Sequence, residues 1–249
     1  NIVNTATPNG ATTCTGGTVT AAAGGGSVSL SNGTVPANGS CMVTVNVTSS
    51  TAGSHPNTSS GVVSNETGTA GASSNTAYLT VMSPPTISKA FGPSTVAKNS
   101  PTTLTVTITN PNAGSALTGV GFSDTYPAGL VNSATPDGST TCAGGTVTAA
   151  AGGGSVSLSN GTIPASGSCT VTANVLSAAT GTYNNTTGNV TSTEGGTGST
   201  AAATLTVDLQ PTFTKSFGTN PVIARGTSLV TFSITNNSTT AALSNIAFT

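Results

Sequence analysis

Apolar residues in this chain recur at every second position, with Thr, Ser or another small residue between them. Leu104, Val106 and Ile108 follow this rhythm, as do Val171, Ala173 and Val175, and Ala203, Leu205 and Val207. A period of two puts alternate side chains on opposite faces of an extended segment, so these runs predict half-buried β-strands. Thr and Val favour the same pleated surface. Between the runs stand PNAGS, PDGST, AGGGS and NGTIPASGS, whose Gly, Pro, Asn and Ser residues are turn and hairpin chemistry. No segment carries a helical stripe.

The pattern is written twice. GGTVTAAAGGGSVSLSNGT occupies residues 16–34 and returns unchanged at 144–162. The match extends outward, IVNTATPNGATTC against LVNSATPDGSTTC and NGTVPANGSCMVTVNV against NGTIPASGSCTVTANV. After a short deletion it resumes as AYLTVMSPPTISKAF against ATLTVDLQPTFTKSF. A period of one domain length is the signature of a tandem array. With about seven or eight short strands per period, the expected architecture is all-β: tandem immunoglobulin-like β-sandwiches.

The Pro-rich stretch from Pro84, followed by a long alternating strand, marks the start of a repeat, and the theme restarts at Gln210. Residues 86–208 then form one complete repeat, 1–85 the C-terminal part of a first repeat lacking its first strands, and 209–249 the first strands of a further one. One end is expected to lack what the other end has. The reading that follows is an excised portion of a repeat protein or a processed, self-assembling subunit.

Composition narrows the function. The 249 residues include only 4 Lys+Arg and 5 Asp+Glu. So few basic groups cannot displace counterions from a phosphate backbone, which excludes nucleic-acid binding. No run approaches the 18 or so apolar residues of a membrane-spanning helix, so no membrane insertion is expected. Sparse charge leaves little repulsion to oppose self-association.

Cys14 and Cys41 in the first copy match Cys142 and Cys169 in the second. Without a C-x-x-C and with a single His, they read as structural disulfides, Cys14–Cys41 and Cys142–Cys169, rather than zinc ligands. Such bonds persist in oxidising surroundings and place the chain outside the cell.

PPTISKAFGPSTV, LTVTITNPN, ALTGVGFSDTYPAGLV, CAGGTVTA and IPASGSCTVTANV together resemble the immunoglobulin-like conserved repeats, a domain of unknown function, found in tandem in large bacterial cell-surface and secreted proteins. The resemblance covers nearly the whole chain. It implies a stalk, fibre or adhesin repeat and is nearly silent on activity. The last repeat departs from it, with TNNS where the middle one has TNPN.

Catalysis is not expected: His55 is the only histidine and Tyr183 takes its place in the second copy. Asp124, Asp137, Asp208, Glu66 and Glu194 are too scattered for a calcium site, so neither metal nor cofactor is expected. AGGGS lacks the Lys and helix of a phosphate loop. N-x-[ST] triplets at Asn46 and Asn189 are weak signals for surface glycans.

Two lysines stand out. Alternation puts Lys89 on the face of Ile87 and Phe91, and Lys215 on that of Phe213 and Phe217. A buried ammonium needs a partner. Glu194 and its counterpart Glu66, the carboxylates that recur in both copies, are the candidates for Lys89 and, across a subunit contact, for Lys215. Surface domains of this general kind sometimes join a first-strand Lys to an Asn by an isopeptide bond beside a buried acid, and Asn185 and Asn57 are the candidate acceptors. The alternative is a bulge that turns the lysine outward, or a side chain that snorkels to solvent.

The function expected is a structural subunit or repeat segment of a bacterial extracellular filament. It would assemble with copies of itself, head to tail, by complementation of partial domains, or run as one long tandem-repeat chain. The alternative is an adhesin-type binding module for glycan, host protein or ice, against which 0 Trp and 3 Tyr offer few aromatic platforms.

Overall fold

A computed structural model describes residues 1–238 and 242–249; residues 239–241, within the 209–249 portion, lie outside the described residues. The described chain is all-β and carries both expected disulfides, Cys14–Cys41 and Cys142–Cys169, each with Cα atoms 4.9 Å apart. It divides into two compact units, Asn1–Ser83 and Pro84–Thr249.

In the first unit β1 (Val3–Asn4), β2 (Ala11–Thr12), β3 (Thr18–Thr20), β4 (Ser29–Ser31), β5 (Val43–Thr44), β6 (Val47–Thr48), β7 (Gly53–Asn57) and β8 (Ala77–Val81) pair only two by two. The pairs are β1 with β6, β2 with β5, β3 with β4 and β7 with β8, all antiparallel.

The second unit begins with β9 (Thr86–Gly92), β10 (Thr95–Ala97), β11 (Thr102–Thr109) and β12 (Leu117–Thr125). Then come β13 (Leu130–Asn132), β14 (Ser139–Thr140), β15 (Thr146–Thr148), β16 (Ser155–Ile163), β17 (Ser168–Ser177), β18 (Gly181–Thr186), β19 (Thr191–Ser192), β20 (Gly196–Thr197) and β21 (Ala202–Asp208). One sheet runs β13-β17-β11-β9, a second β15-β16-β12-β19-β20, and a third β10-β21-β18. Along β11 the alternation expected from sequence holds to the residue, with Leu104, Val106 and Ile108 buried and the threonines between them half-buried.

β12 is less regular. Its register against β16 shifts between Leu117 and Val120 and again between Val120 and Phe122. Gly119 sits there at a φ of 58°, which an L side chain adopts only with strain. Beyond the shift Val120, Phe122, Asp124 and Tyr126 all face the core.

Both copies pin their glycine-rich loop with the same asparagine. Asn132 Nδ2 donates to the carbonyls of Ala150 and Ser155, and Asn4 Nδ2 to those of Ala22 and Ser27. The repeated GGGS is therefore a loop closed by a buried amide, which satisfies backbone carbonyls that burial would otherwise orphan.

The two copies differ in what covers them. Val156, Val175 and Val190 are 1%, 0% and 0% exposed, while their counterparts Val28, Val47 and Val62 are 45%, 42% and 82% exposed. In the second unit β12 lies against β16 and β11 against β17, with Phe122 opposite Leu158 and Val106 opposite Val171. The first unit has no strands of this kind.

β22 (Thr212–Phe217) and β23 (Val230–Thr235) are the counterparts of β9 and β11 and form an antiparallel hairpin. Phe213, Phe232 and Phe248 cluster with ring centroids 4.8 to 5.8 Å apart, yet each remains about half exposed. The residues that match Phe232 and Phe248 in sequence, Val106 and Phe122, are buried.

Candidate functional site

Three strands from three sheets bring a lysine, an aspartate and an asparagine together in the core of the second unit. Lys89 extends inward from β9, opposite Val106 of β11. β9 is the edge of its sheet, so its backbone stays partly open while the lysine side chain is fully covered. Asp124 follows Val120 and Phe122 on the inward face of β12, and Asn185 follows Tyr183 on that of β18. Asp124 and Asn185 are 0% and 1% exposed.

One carboxylate oxygen serves both neighbours. Lys89 Nζ donates to Asp124 Oδ2 at 2.6 Å, and Asn185 Nδ2 donates to the same oxygen at 3.1 Å. The lysine nitrogen and the asparagine amide are therefore separated by less than the sum of those two distances. Among the described residues Asp124 Oδ1 and Asn185 Oδ1 have no hydrogen-bond partner. An acceptor buried without a donor costs about 1–3 kcal/mol, so the ionised pair leaves this cluster incompletely satisfied.

Burial holds the Lys89 ammonium below the usual lysine range, and the Asp124 carboxylate beside it acts in the opposite direction. Near them, burial and the Asp124 charge raise the Tyr126 phenol, which stays protonated and donates to Asn132 Oδ1 at 2.8 Å.

The carboxylate at Lys89 is thus Asp124 rather than Glu194. Glu194 lies on the exposed turn between β19 and β20, where it accepts from the Thr118 amide at 2.7 Å and from the Thr118 hydroxyl. Those hydrogen bonds hold its carboxyl below the ordinary glutamate value. Glu194 does not serve the core because it is exposed and both its carboxylate oxygens are engaged by Thr118. The parallel expectation that Lys215 pairs with Glu66 loses its basis with it. Glu66 is exposed on a turn, lowered by hydrogen bonds from its own amide and Ser64. Lys215 is exposed on β22, its Nζ 5.4 Å from the Phe232 ring centroid and 5.8 Å from that of Phe217. A cation over ring faces in this way is held without a carboxylate.

Asn57, the counterpart of Asn185, is exposed and lines an open groove of the first unit with Val3, Val28, Val45 and Val47. In the second unit the equivalent space is filled by Lys89, Asp124 and the strands that bear them. Sequence reasoning set Asp124 aside as a scattered acid; the signal for it was its period-two spacing after Val120 and Phe122 and before Tyr126. His55 is a loop-closing side chain, with Nε2 2.7 Å from the Thr51 carbonyl oxygen. Among the described residues no three His, Cys, Asp or Glu side chains group as metal ligands.

The model of the family described as "Domain of unknown function (DUF7933)" matches residues 1–81 and again 85–207. The chain belongs to this family. Its two matches fall on the two copies, the open one and the closed one. No curated protein matches the chain. Among solved structures it is similar to a variant of BcpA, the major pilin subunit of Bacillus cereus, at 12% identity and a TM-score of 0.42, over 78% of this chain and 64% of that one. It is similar to a cohesin module from a Clostridium perfringens family 33 glycoside hydrolase at 13% identity and a TM-score of 0.38, over 53% and 100% of the two chains. It is also similar to the collagen-binding domain of the Erysipelothrix rhusiopathiae surface protein RspB at 13% identity and a TM-score of 0.27, over 66% and 63%.

Proposed function

We propose that the chain is a structural repeat segment of a bacterial extracellular filament, and that its open first copy is completed by strands of the 210–249 type from a neighbouring repeat. Residues 86–208 form one complete repeat, while 1–85 and 209–249 are complementary parts of another. The neighbour is a second copy of this chain, joined head to tail, or the adjoining repeat of a longer polypeptide. The observation that carries this is the matched exposure: Val28, Val47 and Val62 are open where Val156, Val175 and Val190 are buried, Val175 on a strand paired with β11 and Val156 on one paired with β12.

Open strand edges and half a core favour strand addition, because main-chain hydrogen bonds and apolar burial are gained together. The C-terminal hairpin offers Phe213, Phe232, Ile234, Ile246 and Phe248, all exposed, at positions matching strands that cover the complete copy. A head-to-tail contact of this kind does not close on itself, so it propagates. The disulfides support an oxidising, extracellular setting.

Light scattering and negative-stain microscopy test the reading. The 249-residue chain should form concentration-dependent linear oligomers, a chain truncated after residue 209 should stay monomeric, and a separate 210–249 peptide should bind the truncated chain. Oligomers that persist after truncation would overturn it.

A further inference from the structure

We propose that Lys89 and Asn185 form an intramolecular isopeptide bond, with Asp124 as the acid–base group that carries the proton. The geometry points to it from two sides. The amine nitrogen and the amide share a single oxygen, Asp124 Oδ2, at 2.6 and 3.1 Å, in a site closed to water. The two unpartnered atoms, Asp124 Oδ1 and Asn185 Oδ1, are both acceptors for as long as Asp124 is ionised.

A single proton shift changes that. When the ammonium passes a proton to the carboxylate and the proton settles on Oδ1, the oxygen that no donor serves, Lys89 becomes a neutral amine with a free electron pair, and Asp124 becomes a carboxylic acid able to donate from Oδ1. A carboxylic acid facing a primary amide can donate to the amide oxygen while it accepts from the amide nitrogen. The contact from Asn185 Nδ2 is already present. Burial disfavours the Lys89 ammonium and so favours this neutral arrangement. The same shift therefore produces the nucleophile and polarises the carbonyl it attacks.

The step balances without any other reagent. The Lys89 Nζ electron pair forms a bond to Asn185 Cγ, and Asp124 protonates the amide oxygen as the tetrahedral carbon forms. A second amine proton is relayed through Asp124 to the Asn185 nitrogen. The Cγ–Nδ2 bond breaks, ammonia leaves, and a secondary amide joins β9 to β18. Asp124 ends as the acid, hydrogen-bonded to the new carbonyl.

Intact-mass spectrometry of the denatured, disulfide-bonded chain tests this. The expected mass is that of the sequence with two disulfides less one ammonia. Fragmentation should place the loss on a branched peptide containing Lys89 and Asn185. Asn-Gly pairs such as Asn9-Gly10 and Asn160-Gly161 can lose ammonia as succinimides, so the sample is also treated with hydroxylamine, which opens a succinimide and leaves an isopeptide intact. The loss should survive in the wild-type chain and be absent in Asp124→Asn and Lys89→Arg variants. A wild-type mass with no ammonia lost leaves an ion pair only and overturns the proposal, as does a loss that hydroxylamine removes. Neither result depends on the variants folding. The proposal is also separate from filament assembly, because the bond lies within the complete copy and is read on monomer.

Discussion

Replacing one valine by alanine at equivalent places in the two copies isolates the effect of coverage. Val175 on β17 is fully buried against β11, whereas Val47 on β6 is 42% exposed with no strand in that position. The local sequences, TVTANV and MVTVNV, are close to identical, so strand propensity largely cancels. Val175→Ala removes two methyl groups from a closed core, about 1.6 kcal/mol in transfer and, with the cavity left behind, roughly 2–3 kcal/mol. For a domain of this size that is a fall in Tm of about 6–15 °C. Val47→Ala removes groups already half in water and leaves no closed cavity, so the cost should stay below about 1 kcal/mol. Hydrogen exchange read by mass spectrometry, on dilute monomeric chain, reports both strands in one experiment. Protection should collapse in β17 for the first variant and change little in β6 for the second. Under the proposed strand addition, the Val47→Ala cost should rise towards that of Val175→Ala as the chain concentration is raised. Equal costs in the monomer would refute the reasoning, because the first copy would then possess a closed core of its own.

Two further outcomes follow from the covalent and charged groups. Each disulfide spans 27 residues, so replacing Cys142 and Cys169 by serine should lower stability by about 3–4 kcal/mol, measured as a lower urea midpoint with a steeper slope, because the unfolded chain without the cross-link exposes more surface. Because hydrogen bonds from Thr118 lower the Glu194 carboxyl below its ordinary 4.5, its contribution is fully present above that value and lost as pH falls through the lowered folded pKa. Wild-type and Glu194→Gln chains should therefore differ in Tm at neutral pH and converge in acid; a constant difference across the titration counts against that assignment.

Much of this fold was legible because it is written in period two. The alternation of Leu104, Val106 and Ile108 is the burial pattern of β11, and the matched cysteines are the bonded pairs. The lysine was legible for the same reason, since it lies in register with apolar neighbours. Its partner was not. Glu194 was favoured because it recurs as Glu66, but recurrence reports duplication, and both glutamates sit on exposed turns. Asp124 has no counterpart among residues 1–83, so recurrence could not point to it. Its alternation with Val120, Phe122 and Tyr126 was readable, but the bulge at Gly119 breaks the count from Leu117, and a count begun there puts Asp124 on the wrong face. Distances across the sandwich depend on which strands face each other, and no single strand encodes that.

The covalent links of the complete copy then have different consequences under load. In a filament of the proposed kind, tension would pull each repeat through its two ends, at β9 and at β21. The Cys142–Cys169 bond lies well inside the chain between them, so it limits the unfolded ensemble and meets force only after the outer strands have come away. A bond from Lys89 to Asn185 would lie on the path itself. Force entering at β9 would cross directly to β18, which pairs along its length with β21, and the chain between residues 89 and 185 would never be stretched. Non-covalent registry between β9 and β11 offers no such protection, because the hydrogen bonds of an edge strand can be lost in sequence from its free end. An edge strand that carries a buried lysine is therefore placed where a covalent tie would alter the mechanics most, and where an ion pair alone would alter them little.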